Sequence, residues 1–403
     1  QVELADRLGY DYIWVTEHHF QEEASHSSAP DLFLAACSQR TRRIRLGHGV
    51  VLTSPYYNNP IRLAERVATL DLLSGGRVDF GTGESGTLLE MGGFNIDINE
   101  KTEHWAEGWQ QAVAMMTMSP YPGHTGKYTT MPVRNVVPKP YQKPHPPLWY
   151  GCSRRESVIR AAKLGMGAMV FGFVEPEQAE KWIKEYYDII KSDECVPVGH
   201  TVNANIHCVI GMSVHQDSAE AQRRCEDGFK FFGYGAGHYY SFGAHRPGRE
   251  DIWAEFEQVK HEIPDNAGKG AIGTPAEVRE HIRGYAEIGL DQLVFMTNAG
   301  KMEHRHVCDT LELFADEVMP EFKVGEADRV RKKNEELAPY IEAALKRRKP
   351  IPEVAEEDIP LIKSTGLLIK EKGGTESDGR HDPTRGGAFP KVADDLLKQK
   401  KTG

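Results

Sequence analysis

Tyr12-Ile13-Trp14-Val15-Thr16-Glu17-His18-His19-Phe20 decides how this 403-residue chain is read. The β-branched and aromatic run over 12–15 predicts a buried strand, because such side chains fill an enclosed pleated surface. It follows an apolar-periodic helix (Leu4, Ala5, Leu8) that Gly9 ends at a C-cap position. One carboxylate and two imidazoles therefore stand where a parallel strand ends, the edge on which α/β sheets build ligand sites.

Working outward, strand-like runs at 44–52, 78–81, 148–151, 168–171, 202–210 and 292–296 alternate with helical patterns. The helices are expected at about 31–39, 60–73, 101–116, 157–164, 176–191, 218–229, 275–288 and 302–318. Such alternation means βα units on a parallel sheet. Asn59-Pro60 sets a cap residue before a first-turn proline, and Thr274-Pro275-Ala276-Glu277 spells a capping box. Seven strands are visible and the chain opens on a helix. One more strand before Gln1 would give eight, so the fold expected is an α/β (β/α)₈ TIM-type barrel with insertions, its first strand missing. An open doubly wound sheet is the alternative, but no glycine-rich dinucleotide turn follows an early strand.

The formal charge is −10, from 49 Lys+Arg against 59 Asp+Glu, which disfavours nucleic acid as a partner. No segment approaches the length of a membrane span, and no signal peptide is expected. Six scattered cysteines without a CxxC pair read as reduced thiols, so a cytoplasmic location is expected. The barrel is expected over 1–322. Within it, the proline-rich stretch 120–147 wraps the surface. Residues 228–270 form an aromatic insertion carrying Phe229, Phe231, Phe232, Tyr234, Tyr239, Tyr240, Phe242, Trp253 and Phe256, read as a lid over the barrel mouth, the alternative being a small satellite core or a dimer contact away from the site. Residues 323–403 read as a charged C-terminal extension, helical over 326–348 and partly disordered beyond.

Four constellations carry chemistry. Glu17, His18 and His19 admit a metal site, a hydrogen-bonded rim, or acid–base and cofactor work. No H-x-H or H-E-x-x-H pattern appears, and neighbours on a strand face opposite ways, so no metal is expected. His18 and Glu17 are the candidate catalytic pair. Second, Tyr150-Gly151-Cys152-Ser153-Arg154-Arg155-Glu156-Ser157 joins a strand to a helix N-terminus. Backbone amides, serine hydroxyls and an arginine there suit a phosphate, with Gly151, Ser153, Arg154 and Ser157 as its candidates. Third, the alternating glycines of Gly81-Thr82-Gly83-Glu84-Ser85-Gly86 let backbone approach a flat ligand, closest at Gly83. Fourth, Gly47-His48-Gly49-Val50 puts glycines inside a strand, a sign of a bulge or a close approach to a ligand at Gly49 and Val50.

These motifs converge on a family. Residues 11–20, Asn59-Pro60-Ile61-Arg62-Leu63-Ala64-Glu65, and Leu72-Leu73-Ser74-Gly75-Gly76-Arg77-Val78-Asp79-Phe80-Gly81-Thr82-Gly83 resemble the luciferase-like flavin-dependent monooxygenases, as do 147–168 and 273–295. The resemblance runs from Gln1 to about Glu321. It implies a TIM-type barrel with reduced FMN at its C-terminal mouth, O₂ activation, a separate flavin reductase and a homodimer. It places the flavin phosphate at Ser153, Arg154 and Ser157, and Glu17 and His18 at the flavin mouth. It also implies a cis peptide at Gly49-Val50 against the flavin ring. Where the light-emitting members carry a reactive cysteine followed by arginine, this chain has Gly83 and Glu84, so light emission is not expected. The activity implied is an FMN-dependent, two-component monooxygenase acting on a small apolar organic substrate. The alternatives are a deazaflavin-dependent hydride-transfer oxidoreductase, a non-catalytic flavin-binding barrel and, further off, a metal-dependent hydrolase.

Overall fold

The computed structural model describes residues 1–171, 174–264, 270–364 and 368. Nine strands share one sheet: β1 (Tyr12–Val15), β2 (Arg45–His48), β3 (Val51–Leu52), β4 (Val78–Gly83), β5 (Leu148–Cys152), β6 (Gly167–Val170), β7 (Ile206–Val214), β8 (Gly270–Gly273) and β9 (Gln292–Met296). Every pairing is parallel. The path is β1-β2-β4-β5-β6-β7, with β3 on β4 and both β8 and β9 on β7.

A parallel sheet needs both faces covered. Helices Pro30–Arg40, Pro60–Ser74, Lys101–Thr117, Arg155–Lys163, Pro176–Ile190, Pro275–Glu287 and His304–Glu317 supply apolar stripes for that purpose. Leu34, Leu63, Val67, Trp109, Val158, Ile183, Val278 and Phe314 from these helices are buried in one core with Leu46, Phe80, Leu148 and Ile206 of the strands. The helix starts follow the sequence closely. The Asn59 side chain accepts from Ile61 N at 3.0 Å. Thr274 and Glu277 complete their capping box, with Thr274 N donating to Glu277 Oε2 at 2.7 Å.

The sheet curls toward closure and leaves one barrel position open. Among the described residues β1 pairs only with β2, and β9 only with β7. The ends are drawn together from outside: the Tyr10 hydroxyl donates to Leu311 O at 3.0 Å, and its ring stacks on Phe314 with centroids 5.9 Å apart. This is the TIM-type barrel expected, with a strand's width missing between β1 and β9.

Several boundaries differ from the sequence reading. The expected strand 44–52 is broken into β2 and β3, and the Gly49–Val50 peptide between them is cis. The expected strand 202–210 starts instead at Ile206 and runs to Val214. Asn203 is taken out of the ladder by donating its side-chain amide to Leu148 O at 3.0 Å, while β8, unread in the sequence, pairs with residues 211–214 and prolongs β7. The helix expected to stop at 229 continues as Ser218–Gly237 and passes into a π-helical turn, His238–Phe242. A further helix, Ile252–Val259, follows, so the aromatic stretch is largely helical; residues 265–269 lie outside the described residues. A six-residue helix, Leu88–Gly93, follows β4.

The chain divides into two compact units, Gln1–Glu353 and Val354–Gly403. The first includes helix Glu326–Arg347, whose Leu337 and Ala344 are buried in the main core. Lys333 Nζ of that helix donates to Asp291 Oδ1 at 2.7 Å, just ahead of β9, on the side of the barrel where strands begin. In the second unit the described part holds one short 3₁₀ turn, Glu356–Asp358. The disorder expected for the chain end concerns residues largely outside those described. Among the described residues no helix is long and apolar enough to cross a membrane.

Candidate active site

The strand ends surround a cavity of about 2410 Å³ that continues along the open barrel position. Glu17, His18, Gly49, Val50, Gly83, Gly151, Ser153, Arg154 and Ser157 all line it. Residues up to 140 positions apart in the chain, Glu17 and Ser157, thus meet because parallel strands end side by side.

Beyond β1 the chain makes two histidine–carboxylate pairs. His18 Nδ1 lies 3.1 Å from Glu90 Oε1, and His19 Nε2 lies 3.1 Å from Glu17 Oε1. The two pairs have different work. The Glu17 carboxylate also accepts from Leu52 N at 2.7 Å and from the Asn58 amide, while Glu17 N donates to Val50 O at 2.9 Å. Glu17 therefore fastens the chain just after the cis peptide to the end of β1, while Gly49 N on its other side donates to Val15 O at 2.8 Å. His18 is different: its side chain is 28% exposed and reaches the cavity.

Glu90, on helix Leu88–Gly93, is fully buried. Burial pushes its carboxyl up, but the His18 hydrogen bond and charge, His19 N–H and the Ser85 hydroxyl more than offset this. Its pKa ends below the ordinary value. Sequence reasoning missed Glu90. The signal was Thr87-x-x-Glu90, a capping-box pattern; the Thr87 side chain does accept from Glu90 N at 3.2 Å.

Val50 follows the cis bond and projects between two glycines. A Cβ on Gly83 would stand 2.2 Å from Val50 Cγ2, and one on Gly151 3.1 Å from Val50 Cγ1. Glycine at 83 is thus a condition for Val50 to sit on the cavity wall.

At the second constellation, helix Arg155–Lys163 starts at the end of β5 with Arg154 as its N-cap residue. Ser157 is buried, whereas Arg154 is exposed with only a loose ion pair to Glu156 at 3.8 Å. Its guanidinium is thus available to an anion. Close by, Glu84 is bonded by the Tyr150 hydroxyl, by Arg160 Nη1 at 2.8 Å and by Thr102 Oγ1 at 2.9 Å. Burial, reinforced by the Glu84 charge, pushes the Tyr150 phenol well up. Glu84 is thereby neutralised inside the protein. Lys101, 3.7 Å from it, is a cavity-lining cation that the sequence reading did not single out.

The far wall comes from the aromatic stretch. Phe229, Phe232, Tyr239 and Tyr240 line the cavity. Phe231, Ile252 and Phe256 form a small core with Tyr234 and Trp253 against it, and Phe231 reaches the cavity as well.

Comparison with known proteins places this geometry. The family model described as luciferase-like monooxygenase matches residues 1–292. The uncharacterized protein y4wF of Sinorhizobium fredii is 32% identical, over 54% of this chain and 61% of that protein. The oxygenase component of the flavin-dependent trigonelline monooxygenase of Acinetobacter baylyi is 26% identical, over 81% of this chain and 89% of its own. The crystal structure of monooxygenase RslO1 from Streptomyces bottropensis superposes with a TM-score of 0.66 at 26% identity, covering 80% of this chain and 91% of that one.

Proposed function

The chain belongs to the luciferase-like monooxygenase family, and from that premise we propose that it is the oxygenase component of a two-component system. In this reading it takes reduced FMN from a separate reductase and uses O₂ to oxidise a small apolar organic substrate. A homodimer belongs to the same reading.

The residues present fit the cofactor. The Arg155 and Glu156 amides that open helix Arg155–Lys163 have no intrahelical acceptor, and Ser153, Ser157 and Arg154 stand beside them as phosphate ligands. Gly83 and Gly151 leave the Val50 side chain the space it occupies, so that Gly49 and Val50 can form a wall for the ring. FMN, when bound, supplies O₂ activation and oxygen transfer. The protein's own part is to hold the phosphate, to shape the ring wall through Glu17 and Val50, and to give or take a proton at His18. The aromatic wall takes the apolar substrate and keeps out water.

One observation carries the reading: the phosphate candidates, the cis-peptide wall and His18, backed by the buried Glu90, meet at a single cavity at the strand ends, which all but Glu90 line. The test is to titrate the protein separately with FMN and a deazaflavin. Reduced FMN, O₂ and a panel of apolar ketones, aldehydes and arenes are then supplied while O₂ uptake and product mass are read. FMN binding with a product one oxygen heavier is the expected result. Preference for the deazaflavin without O₂ uptake overturns it in favour of hydride transfer. FMN held with no substrate-dependent turnover favours a binding protein.

A further inference from the structure

We propose that Glu90 is a positioning residue for His18, holding the imidazole in the tautomer whose Nδ1 carries the hydrogen and whose Nε2 is the lone-pair nitrogen available to the cavity. This deepens the role given to His18 and rests on it.

The argument is a count of donors. Glu90 Oε1 faces His18 Nδ1 at 3.1 Å and accepts from His19 N at 2.9 Å; Oε2 accepts from the Ser85 hydroxyl at 2.9 Å and the Thr87 hydroxyl at 3.0 Å. A carboxylate that already accepts from three donors, His19 N and the Ser85 and Thr87 hydroxyls, is ionised and can only accept. The imidazole nitrogen facing it must therefore be the donor. In neutral imidazole one nitrogen donates and the other accepts, so the hydrogen on Nδ1 fixes Nε2 as the acceptor. When Nε2 takes a proton from the cavity, the imidazolium is stabilised by the Glu90 charge, and the proton leaves by the same nitrogen.

Glu90 also has a structural side, since it ties the loop after β4 to the turn after β1. That side alone does not call for a full negative charge: a glutamine could serve His19 N, Ser85 and Thr87. The other titratable groups facing the pair are the Tyr57 and Tyr240 phenols and the Glu17 carboxylate. Burial, with the Glu90 charge adding to it, pushes Tyr240 up to about 12 and Tyr57 higher still, so both phenols stay neutral. Glu17 is engaged with Leu52, Asn58 and His19.

The first measurement needs no variant. Nitrogen NMR of the cofactor-free protein, with His18→Gln used to assign the signal, reads which His18 nitrogen is protonated at high pH. Hydrogen on Nδ1 supports the proposal, and hydrogen on Nε2 overturns it. The second compares Glu90→Gln, Glu90→Asp and Thr87→Ala. Glu90→Gln should lower the His18 titration midpoint by about one pH unit or more and cut kcat about 10²-fold with little change in KM. Glu90→Asp, which keeps the anion, should recover most of both; Thr87→Ala, which removes one donor from Glu90 but leaves His18 its partner, should leave the midpoint in place. Identical behaviour of the Gln and Asp variants, or an unmoved midpoint in Glu90→Gln, overturns the proposal. Near-normal turnover in His18→Ala sinks the role of His18 itself, and the NMR result then still decides the pairing separately.

Discussion

Val50 Cγ2 occupies the space a side chain on Gly83 would need: an added Cβ would stand 2.2 Å from it, well inside contact distance. Gly83 ends β4, and Val50 immediately precedes the short β3 whose Leu52 pairs with Gly83, so neither backbone can retreat without straining that pairing. Gly83→Ala should therefore destabilise the protein by about 1–3 kcal/mol, the usual cost of overpacking. FMN binding should weaken as the wall is displaced. Adding Val50→Ala should return most of the stability, a coupling expected only between residues in contact. Urea denaturation of the two single variants and the double variant checks this. Simple additivity would show that the crowding is relieved elsewhere.

The phosphate site gives a ligand-specific prediction. Arg154 is held only by Glu156 at 3.8 Å, so its guanidinium is not spent inside the protein. Arg154→Ala should cost FMN binding about 1.5 kcal/mol, the low end for a charge-assisted hydrogen bond because the side chain is 65% exposed. Riboflavin, which lacks the phosphate, should bind parent and variant alike. Equal losses for both ligands would remove Arg154 from the phosphate site.

Stability should fall with acid through two buried histidines. His207 sits between Trp14 and Trp149, each ring 5.5 Å away, and neither of its nitrogens has a partner. Burial pushes it down to about 3. Burial also pushes His145 down to about 4, against the opposing effect of its bond to Pro146 O. In the unfolded chain both titrate near 6.5. As pH falls from 6.5 toward 4 the unfolded state takes up protons that the native state refuses, so native stability declines by about 1.4 kcal/mol per pH unit for each histidine. Above 6.5 their contribution is constant. His207→Leu should remove about half of this dependence between pH 6.5 and 5, measured by urea midpoints; an unchanged slope would show His207 protonated in the native state.

The aromatic wall should govern coupling rather than folding. Tyr240 packs over Gly86, where an added Cβ would stand 2.5 Å from its ring. The neighbouring Tyr239 hydroxyl donates to Glu22 O at 2.7 Å, and Trp253 N to Glu23 Oε2 at 3.1 Å, so this wall is fastened to the turn after β1. The satellite core of Phe231, Ile252 and Phe256 is separate from Tyr240. Tyr240→Ala should thus leave the protein folded but raise hydrogen peroxide release per O₂ consumed, because water reaches the site. Unchanged coupling would mean that this ring does not shield the cavity.

The parts of the site legible in the sequence are those written in local chemistry. A β-branched and aromatic run marks β1, so Glu17 and His18 are placed at its end without help from the rest of the chain. Glycine spacing marks the close approach at Gly49 and Gly83, and Thr274 with Glu277 spells its cap. What escaped was written at long range or too briefly. Helix Leu88–Gly93 is shorter than two turns, too short for a 3.6-residue period, so Glu90 had no visible element. Strand β8 is two apolar residues between glycines and exists through its pairing with β7. The burial of helix Glu326–Arg347 depends on Asp291 meeting Lys333, a pairing that no local pattern announces.

The unpaired outer edges of β1 and β9 have a practical consequence. Four residues on one side and five on the other present parallel backbone to the same cavity that holds His18 and Val50. Among the described residues the backbone N–H and C=O groups along these two edges lack a strand partner on that side, so water or a polar group entering the cavity there meets a row of donors and acceptors.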